Sequence, residues 1–180
     1  MLSATRLLNL IGTDHPVELF TVKKNYIYYD GKINSYIAAQ MAGFIRDELL
    51  GRGRNFSFET VFSHESKLKI MQKTKALGYR IYFYYLATDD PAINIDRVNL
   101  RVAQKGHPVP IRKIIDRYYK SLDLMLPAVK SSTRAYLFDN SGRYYELVAQ
   151  IDFGKQVEVL DLDKKPPNWF VEYFYKKTQI

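Results

Sequence analysis

The chain contains no cysteine, and this absence removes several kinds of site at once. Disulfide bridges, thiolate metal sites and catalysis by a cysteine nucleophile are excluded for these 180 residues. A chain without disulfides fits a reducing compartment, so we expect a cytoplasmic protein.

Long apolar runs are also missing. No stretch approaches the roughly 20 apolar residues of a membrane-spanning helix, and residues 1–7 are too short and too polar for a signal peptide. We therefore expect no membrane partner. Hydrophobic residues still make up 47% of the chain, in short blocks, and this favours a folded domain over disorder.

Three motifs of enzyme chemistry are absent. The histidines do not stand at a metal-ligand spacing, and there is no Gly-x-Ser-x-Gly. Lys32 and Lys155 each follow a glycine, but neither is followed by Ser or Thr, and Tyr26 and Ala149 replace the glycine five places earlier. The chain therefore has no Gly-x-x-x-x-Gly-Lys-Ser/Thr phosphate loop.

The charge balance is strongly positive. A net charge of +8 favours an anionic partner such as a nucleotide, a sugar phosphate or a nucleic acid. A basic but solvated surface explains the charge equally well. The fifteen tyrosines are dispersed along the chain, so we expect them to serve packing rather than base stacking.

The first third of the chain alternates strand and helix signals. Residues 17–29 (VELFTVKKNYIYY) predict a hairpin or two short strands. Asn34 is expected to cap a helix whose apolar residues recur at helical spacing until Gly51. Residues 56–61 predict a short strand, and Ser63 is expected to cap a helix that ends near residue 78.

The remainder continues this alternation. Residues 79–87 (YRIYFYYLA) are almost unbroken apolar and aromatic, which predicts a strand covered on both faces. Asp90 and Pro91 open a helix, residues 106–110 break it, and a further helix runs over about 111–126. A strand at 134–138, a hairpin around Gly154-Lys155 and an amphipathic helix after Pro166-Pro167 complete the chain.

Alternating strands and helices predict an α/β fold with three layers. We expect a mostly parallel sheet with helices on both faces, followed by a C-terminal β-hairpin and a terminal helix. Ligands of such sheets bind beyond the carboxyl ends of the strands. Site residues are therefore expected directly after Thr60, Ala87 and Phe138.

Glu59 lies near the end of the predicted strand at 56–61. A carboxylate there is suited to accept hydrogen bonds from substrate hydroxyls or to support a general base. On spacing alone, a carboxylate that caps the next helix or pairs with a lysine is the more common outcome.

Two arginines project together from the predicted helix that begins at Pro91. Arg97 and Arg101 are four residues apart and share a face, away from the apolar stripe of the same helix. A guanidinium binds phosphate oxygens in pairs, so a cationic helix–loop–helix is suited to fold over a polyphosphate. A solvated pair of basic helices is an equally good interpretation. The further cations of this region are Lys105, His107, Arg112, Lys113 and Arg117.

Four separated blocks resemble the zeta-toxin-like kinases. They are residues 55–64 (NFSFETVFSH), residues 78–86 (GYRIYFYYL), the segment 94–122 with its break at 106–110, and residues 139–142 (DNSG). The match covers about 35–142, in the order of the family. Four spaced blocks are more specific than any one of them.

The resemblance implies a P-loop kinase-like fold that uses ATP and Mg²⁺. It implies phosphoryl transfer to a UDP-amino sugar or another small molecule with a hydroxyl group, and an antitoxin protein as a possible further partner. The site residues that it implies are Glu59, Ser63 and His64 for acceptor binding, Arg97 and Arg101 for catalysis, and Lys105, His107, Arg112 and Arg117 for phosphate binding.

The resemblance also implies one domain over residues 1–180. It divides into a divergent segment 1–33, a family-like core 34–142 with a lid over about 91–126, and the hairpin and helix of 143–180. The family's phosphate loop precedes all of these blocks and has no counterpart here. For the family's catalytic acid, Asp14 and Asp30 stand ahead of the main helix, in no recognisable setting.

We therefore expect a truncated or inactive kinase, with the loop lost or the true start upstream. Two alternatives stay open. One is a non-catalytic remnant that binds an anionic ligand or a partner, and the other, less favoured, is a basic nucleic-acid-binding module, whose affinity should fall steeply with salt.

Overall fold

The computed structural model describes residues 20–23, 26–31, 34–159 and 165–178. The chain forms two compact units, residues 1–59 and residues 60–180. The helix end predicted at residues 7–11 lies outside the described residues, as do Lys32 and Leu160. The single-domain organisation stays a prediction.

The first unit contains a strand pair and a helix. Strands β1 (Phe20–Lys23) and β2 (Tyr26–Tyr29) are antiparallel, and helix α1 covers Ser35–Gly51. The Asn34 side chain accepts a hydrogen bond from the backbone N–H of Ile37 at 2.9 Å. The predicted hairpin and the predicted helix cap are thus confirmed.

The strand predicted at residues 56–61 is wrong. Residues 54–63 form no regular secondary structure. The Phe56 and Phe58 rings stack with centroids 6.3 Å apart, and the Arg46 guanidinium lies 4.9 Å from the centroid of Phe58. Aromatic residues favour a strand only where a second strand satisfies its backbone groups, and no described strand pairs with this segment.

The second unit contains a four-stranded sheet and its helices. The sheet order is β3-β4-β5-β6; β3 and β4 are parallel, and the other two pairs are antiparallel. A C-terminal helix over 168–178 has π-helical hydrogen bonding at Val171–Tyr175. The other elements are α2 (Glu65–Ala76), β3 (Tyr82–Ala87), α3 (Pro91–Ala103), α4 (Ile111–Ser131), β4 (Arg134–Asp139), β5 (Glu146–Asp152) and β6 (Gln156–Val159).

This architecture is mixed α/β, and its sheet is mostly antiparallel rather than mostly parallel as predicted. The reason lies in the connections. Strands β4, β5 and β6 follow one another through the short segments 140–145 and 153–155, and connections of that length permit only antiparallel neighbours. The predicted C-terminal hairpin is confirmed as β5 and β6.

The apolar run of β3 had predicted a strand covered on both faces, but only one face is covered. Burial alternates strictly along it: Phe83, Tyr85 and Ala87 are buried, whereas Tyr82, Tyr84 and Leu86 are 51%, 60% and 52% exposed. Tyrosine combines an apolar ring with a polar hydroxyl and is therefore suited to both buried and exposed positions. A run of tyrosines consequently shows no alternation of apolar and polar residues in the sequence, even where burial alternates.

Helix α4 supplies much of the core against the sheet. Leu122, Met125 and Val129 are at most 1% exposed and belong to one hydrophobic cluster with Leu137 and Phe174. The helix runs to Ser131, beyond the predicted end at 126, although Pro127 lacks a backbone donor. Burial of the turn that follows Pro127 offsets that loss. None of the helices in the described part of the chain combines the length and the hydropathy that a membrane span requires.

Candidate functional site at the carboxyl ends of β3 and β4

The two parallel strands end at one edge of the sheet. Ala87 lies opposite Asp139, and the backbone N–H of Asn140 donates to the Ala87 carbonyl at 2.7 Å. As expected, the residues after Ala87 and after Phe138 meet there. The third expected segment, after Thr60, follows no strand.

A closed ring of hydrogen bonds joins this edge to the C-terminal helix. The Asp89 N–H donates to Ser141 Oγ (2.7 Å), which donates to Asp139 Oδ1 (2.8 Å). Trp169 Nε1–H donates to the same Asp139 Oδ1 (2.9 Å), and the Trp169 backbone N–H donates to Asp89 Oδ1 (3.3 Å). We call Asp89, Asp139, Ser141 and Trp169 the rim cluster. Both carboxylates in it are already held by donors of the chain itself.

Trp169 was missed as a site residue by sequence reasoning, which predicted only an amphipathic helix there. Asn168, beside it, donates from Nδ2 to Asp89 Oδ2 at 2.9 Å. The available signal was the chain's single tryptophan, two residues after Pro167. Nothing local to that segment indicates Asp89 or Asp139 as its partners, because the partners are 79 and 30 residues away in the chain.

Helices α3 and α4 are attached to the same edge through Thr88, which is 4% exposed. Tyr118 donates its hydroxyl to the Thr88 carbonyl at 2.8 Å, and Asn94 Nδ2 donates to Thr88 Oγ1 at 2.8 Å. Asp90 caps α3 by accepting from the Ala92 N–H at 2.7 Å, as predicted. The start of α3 and the middle of α4 are therefore fixed at the carboxyl end of β3.

Two phenols in this region predict a loss of stability at alkaline pH. Burial raises the pKa of Tyr85, whose hydroxyl lies 3.1 Å from Ser121 Oγ, and burial also raises the pKa of Tyr118. The unfolded chain ionises its tyrosines near pH 10, so it loses protons before the folded chain does. The free energy of unfolding should fall by about 1.4 kcal/mol per pH unit above pH 10 for the buried Tyr85, and by less for Tyr118, which is only partly buried.

Urea unfolding at stepwise pH checks this expectation. Tyr85→Phe should be measured alongside the unchanged chain, since it removes one ionising group and should make the decline shallower. A decline equally steep in both proteins, or stability that is constant from pH 9 to 11, would contradict the assignment.

Arg97, predicted to be catalytic, is bound to the loop after β4. Its Nη2 donates to the carbonyl of Asn140 at 2.6 Å and lies 3.5 Å from that of Gly142. The residue is exposed, and its guanidinium has further donors. Arg97 thus brings α3 and the 140–142 loop together at the rim; its catalytic role stays a prediction.

The other predicted cations surround the break between α3 and α4. The break begins where the Gly106 N–H donates to the Arg101 carbonyl at 2.8 Å, which ends α3. Within the described chain, none of these side chains has a hydrogen-bonding or ion-pair partner. All except Arg117 are exposed, and the set is Arg101, Lys105, His107, Arg112 and Arg117.

The three predicted acceptor-binding residues lie before α2. Glu59 is exposed and belongs to the first unit, whereas Ser63 and His64 belong to the second. His64, and not Ser63 as predicted, caps α2: its Nδ1 accepts from the Ser66 N–H at 3.1 Å. A ring nitrogen at this position replaces the hydroxyl oxygen of an ordinary cap. The acceptor-binding roles stay predictions.

The side chains around the break fit the phosphates of ATP, because they are positively charged and their donors are not used within the described chain. The rim carboxylates do not fit Mg²⁺ equally well, because Asp89 and Asp139 are occupied by Asn168, Ser141 and Trp169. Among the described residues, no three acidic or histidine side chains gather as metal ligands. No protein-family model, curated protein or solved structure matches this chain.

Proposed function

We propose that this chain supplies the acceptor-binding segment and the cationic lid of a zeta-toxin-like, ATP-dependent small-molecule kinase. One observation carries the proposal: α3 and α4, joined by the break at 106–110, present exposed cations that have no partner in the described chain. The acceptor is a sugar nucleotide or a similar molecule with a hydroxyl group. A kinase of this type also needs a phosphate loop, and none occurs within these 180 residues.

The proposed roles follow from the chemistry of phosphoryl transfer, which depends mainly on positioning and on charge stabilisation. ATP, when bound, supplies the phosphoryl group. Arg101 binds phosphate oxygens and stabilises their negative charge. Arg97 orients the loop after β4 through the Asn140 carbonyl. Glu59 accepts a hydrogen bond from the acceptor hydroxyl.

Calorimetric titration with ATP, and separately with inorganic triphosphate, tests the lid. Loss of one charge-assisted hydrogen-bonding group costs about 1.5–3 kcal/mol, so Arg101→Gln should weaken binding by about tenfold or more. Arg54→Gln is the matched control, because Arg54 is exposed and lies in the first unit. No binding to the unchanged chain at low salt, or equal losses in both variants, would contradict the proposal.

Glu59→Ala and Arg101→Ala should each leave the melting temperature within about 1 °C of the unchanged chain, because substitutions at exposed positions rarely cost more than 0.5 kcal/mol. Both residues are exposed. If the unchanged chain transfers phosphoryl groups to a UDP-amino sugar, each substitution should abolish that turnover. A large fall in melting temperature would instead identify the residue as structural.

A second candidate is a non-catalytic protein that binds an anionic ligand through the same cations. The rim cluster favours it, since Asn168 and Trp169 occupy the carboxylates at the carboxyl ends of β3 and β4. The same titrations distinguish the two candidates. Binding that is indifferent to Mg²⁺ and is accompanied by no transfer of labelled phosphate favours the non-catalytic candidate.

A further inference from the structure

Strand β3 forms an open edge of the sheet. In the part of the chain that the structure describes, it pairs only with β4, so one side of its backbone has no partner strand. Its sequence, Tyr-Phe-Tyr-Tyr-Leu-Ala, contains no charged residue and no proline. Natural sheets usually protect an edge with charges, proline, a bulge or a very short strand. None of these devices occurs in β3.

The opposite edge of the same sheet is protected. In the part of the chain that the structure describes, strand β6 covers Gln156–Val159 and includes the exposed Glu158. Two copies of β6 placed side by side would bring like charges close together, which is a common way to prevent association. The contrast between β3 and β6 indicates that only the β3 edge is built to be paired.

We propose that β3 pairs antiparallel with β3 of a second copy of this chain, which joins two four-stranded sheets into one. A two-fold axis perpendicular to the sheet requires opposed residues to lie on the same face. Centring the axis on Tyr84 meets this requirement: exposed Tyr82 opposes exposed Leu86 of the second copy, and buried Phe83 opposes buried Tyr85.

The stacking around Tyr84 selects this register. Within one chain the Tyr84 ring already stacks on Tyr136 of β4, with centroids 4.9 Å apart and planes inclined by 17°. When Tyr84 of one copy lies opposite Tyr84 of the second copy, the Tyr84 and Tyr136 rings of both copies form a row of four across the two-fold axis. Cross-strand aromatic pairs stabilise antiparallel sheets. The strand carries no charge, so its self-pairing creates no repulsion, and the second copy is the occupant that fits it.

Single cysteine variants test this pairing directly, because the chain has no cysteine of its own. In the proposed dimer, the Cβ atoms at position 84 are about 4.5–5.5 Å apart, close to disulfide geometry. Oxidised Tyr84→Cys should therefore form a covalent dimer. An equal mixture of Tyr82→Cys and Leu86→Cys should form the mixed dimer more readily than either alone. Tyr175→Cys, at a 55% exposed position in the C-terminal helix, should stay uncrosslinked.

Sedimentation equilibrium over a concentration series provides the independent measurement. The unchanged chain should shift from 21.1 kDa towards twice that mass as concentration rises. Tyr84→Lys should weaken the dimer by about tenfold or more, because two ammonium groups would be directly opposed. Its melting temperature in dilute solution should fall by no more than about 4 °C, the cost of losing the stacking on Tyr136, so the fold is kept when the dimer is lost. Added salt should strengthen the dimer, since each chain carries +8.

Two results would overturn the inference. One is a chain that is monomeric at every concentration and in which Tyr84→Cys crosslinks no faster than Tyr175→Cys. The other is a monomer in which the β3 amides that do not bond to β4 exchange slowly with deuterium, which would mean that another part of the same chain covers the edge. Both outcomes are independent of the proposed kinase function, since β3 pairing and the cations of the lid are tested by different variants.

Discussion

Trp169→Ala should cause one of the largest losses of stability in this protein. The side chain is 2% exposed, packs against Tyr85 and Phe170, and donates Nε1–H to Asp139. Truncation of a buried tryptophan costs about 3–5 kcal/mol, and a change of that size lowers the melting temperature of a domain this large by roughly 10 °C. Thermal and urea unfolding, followed by circular dichroism, measure the effect.

Trp169→Phe separates packing from hydrogen bonding. It retains an aromatic ring and the backbone bond to Asp89; it removes the donor to Asp139, which still accepts from Ser141, and a part of the buried ring. We expect a loss of about 1–2 kcal/mol. Tyr175→Ala, at a 55% exposed position in the same helix, should change the free energy of unfolding by less than about 0.5 kcal/mol. If Trp169→Ala costs no more than Tyr175→Ala, the rim cluster contributes nothing to stability.

Gly154→Ala should be the second severe substitution. Gly154 has φ +67°, and an added Cβ would lie 2.8 Å from the Cα of Lys130 and 3.2 Å from the carbonyl oxygen of Val129. Both contacts are with the backbone of α4, which cannot rotate away as a side chain does. The strained φ costs roughly 1–2 kcal/mol and the overpacking roughly a further 1–3 kcal/mol. Urea unfolding should show the sum of these costs.

Gly78→Ala is the matched control for this position. Gly78 has φ +82°, but no atom lies within 4 Å of an added Cβ. It should therefore show only the cost of the strained φ, about 1–2 kcal/mol. The difference between the two variants isolates the contact of the β5–β6 turn with α4. Equal losses would mean that the hairpin moves away from α4 without cost.

Helices and their ends were the part of this fold that the sequence predicted best. Asn34 and Asp90 cap α1 and α3 as expected, and the break at 106–110 separates α3 from α4. Their signals are local, since a cap depends on groups two or three residues away. The cap of α2 was the exception, because a histidine at position 64 takes the place expected of Ser63.

Strands were predicted less well, because a strand depends on what lies beside it. Residues 56–61 and 79–87 have similar aromatic patterns, but only the second segment found a partner strand, in β4. The number of parallel strand pairs in the sheet was overestimated for the same reason. The sequence shows alternation of strand and helix, whereas the short connections after β4 force antiparallel pairing.

The candidate site also has a part that the sequence predicted and a part that it did not. The sequence predicted the cations around the α3–α4 break, because four-residue spacing puts Arg97 and Arg101 on one helix face. It did not predict that Arg97 donates to the Asn140 carbonyl, 43 residues away, or that Trp169 joins the two strand ends. Such contacts depend on how elements dock, and the residues that make them carry no local signal.

By itself, the sequence determined the helices, the caps of α1 and α3, the C-terminal hairpin and the clustering of cations, because each of these depends on residues within a few positions of one another. Only the tertiary structure decided which side of β3 faces outward and which strand edge stays open. It also decided which carboxylates Trp169 occupies. These features depend on backbone and side-chain groups that come together only when distant segments pack. The free energy of such contacts is not a sum of contributions from single residues, so no single position in the sequence predicts them.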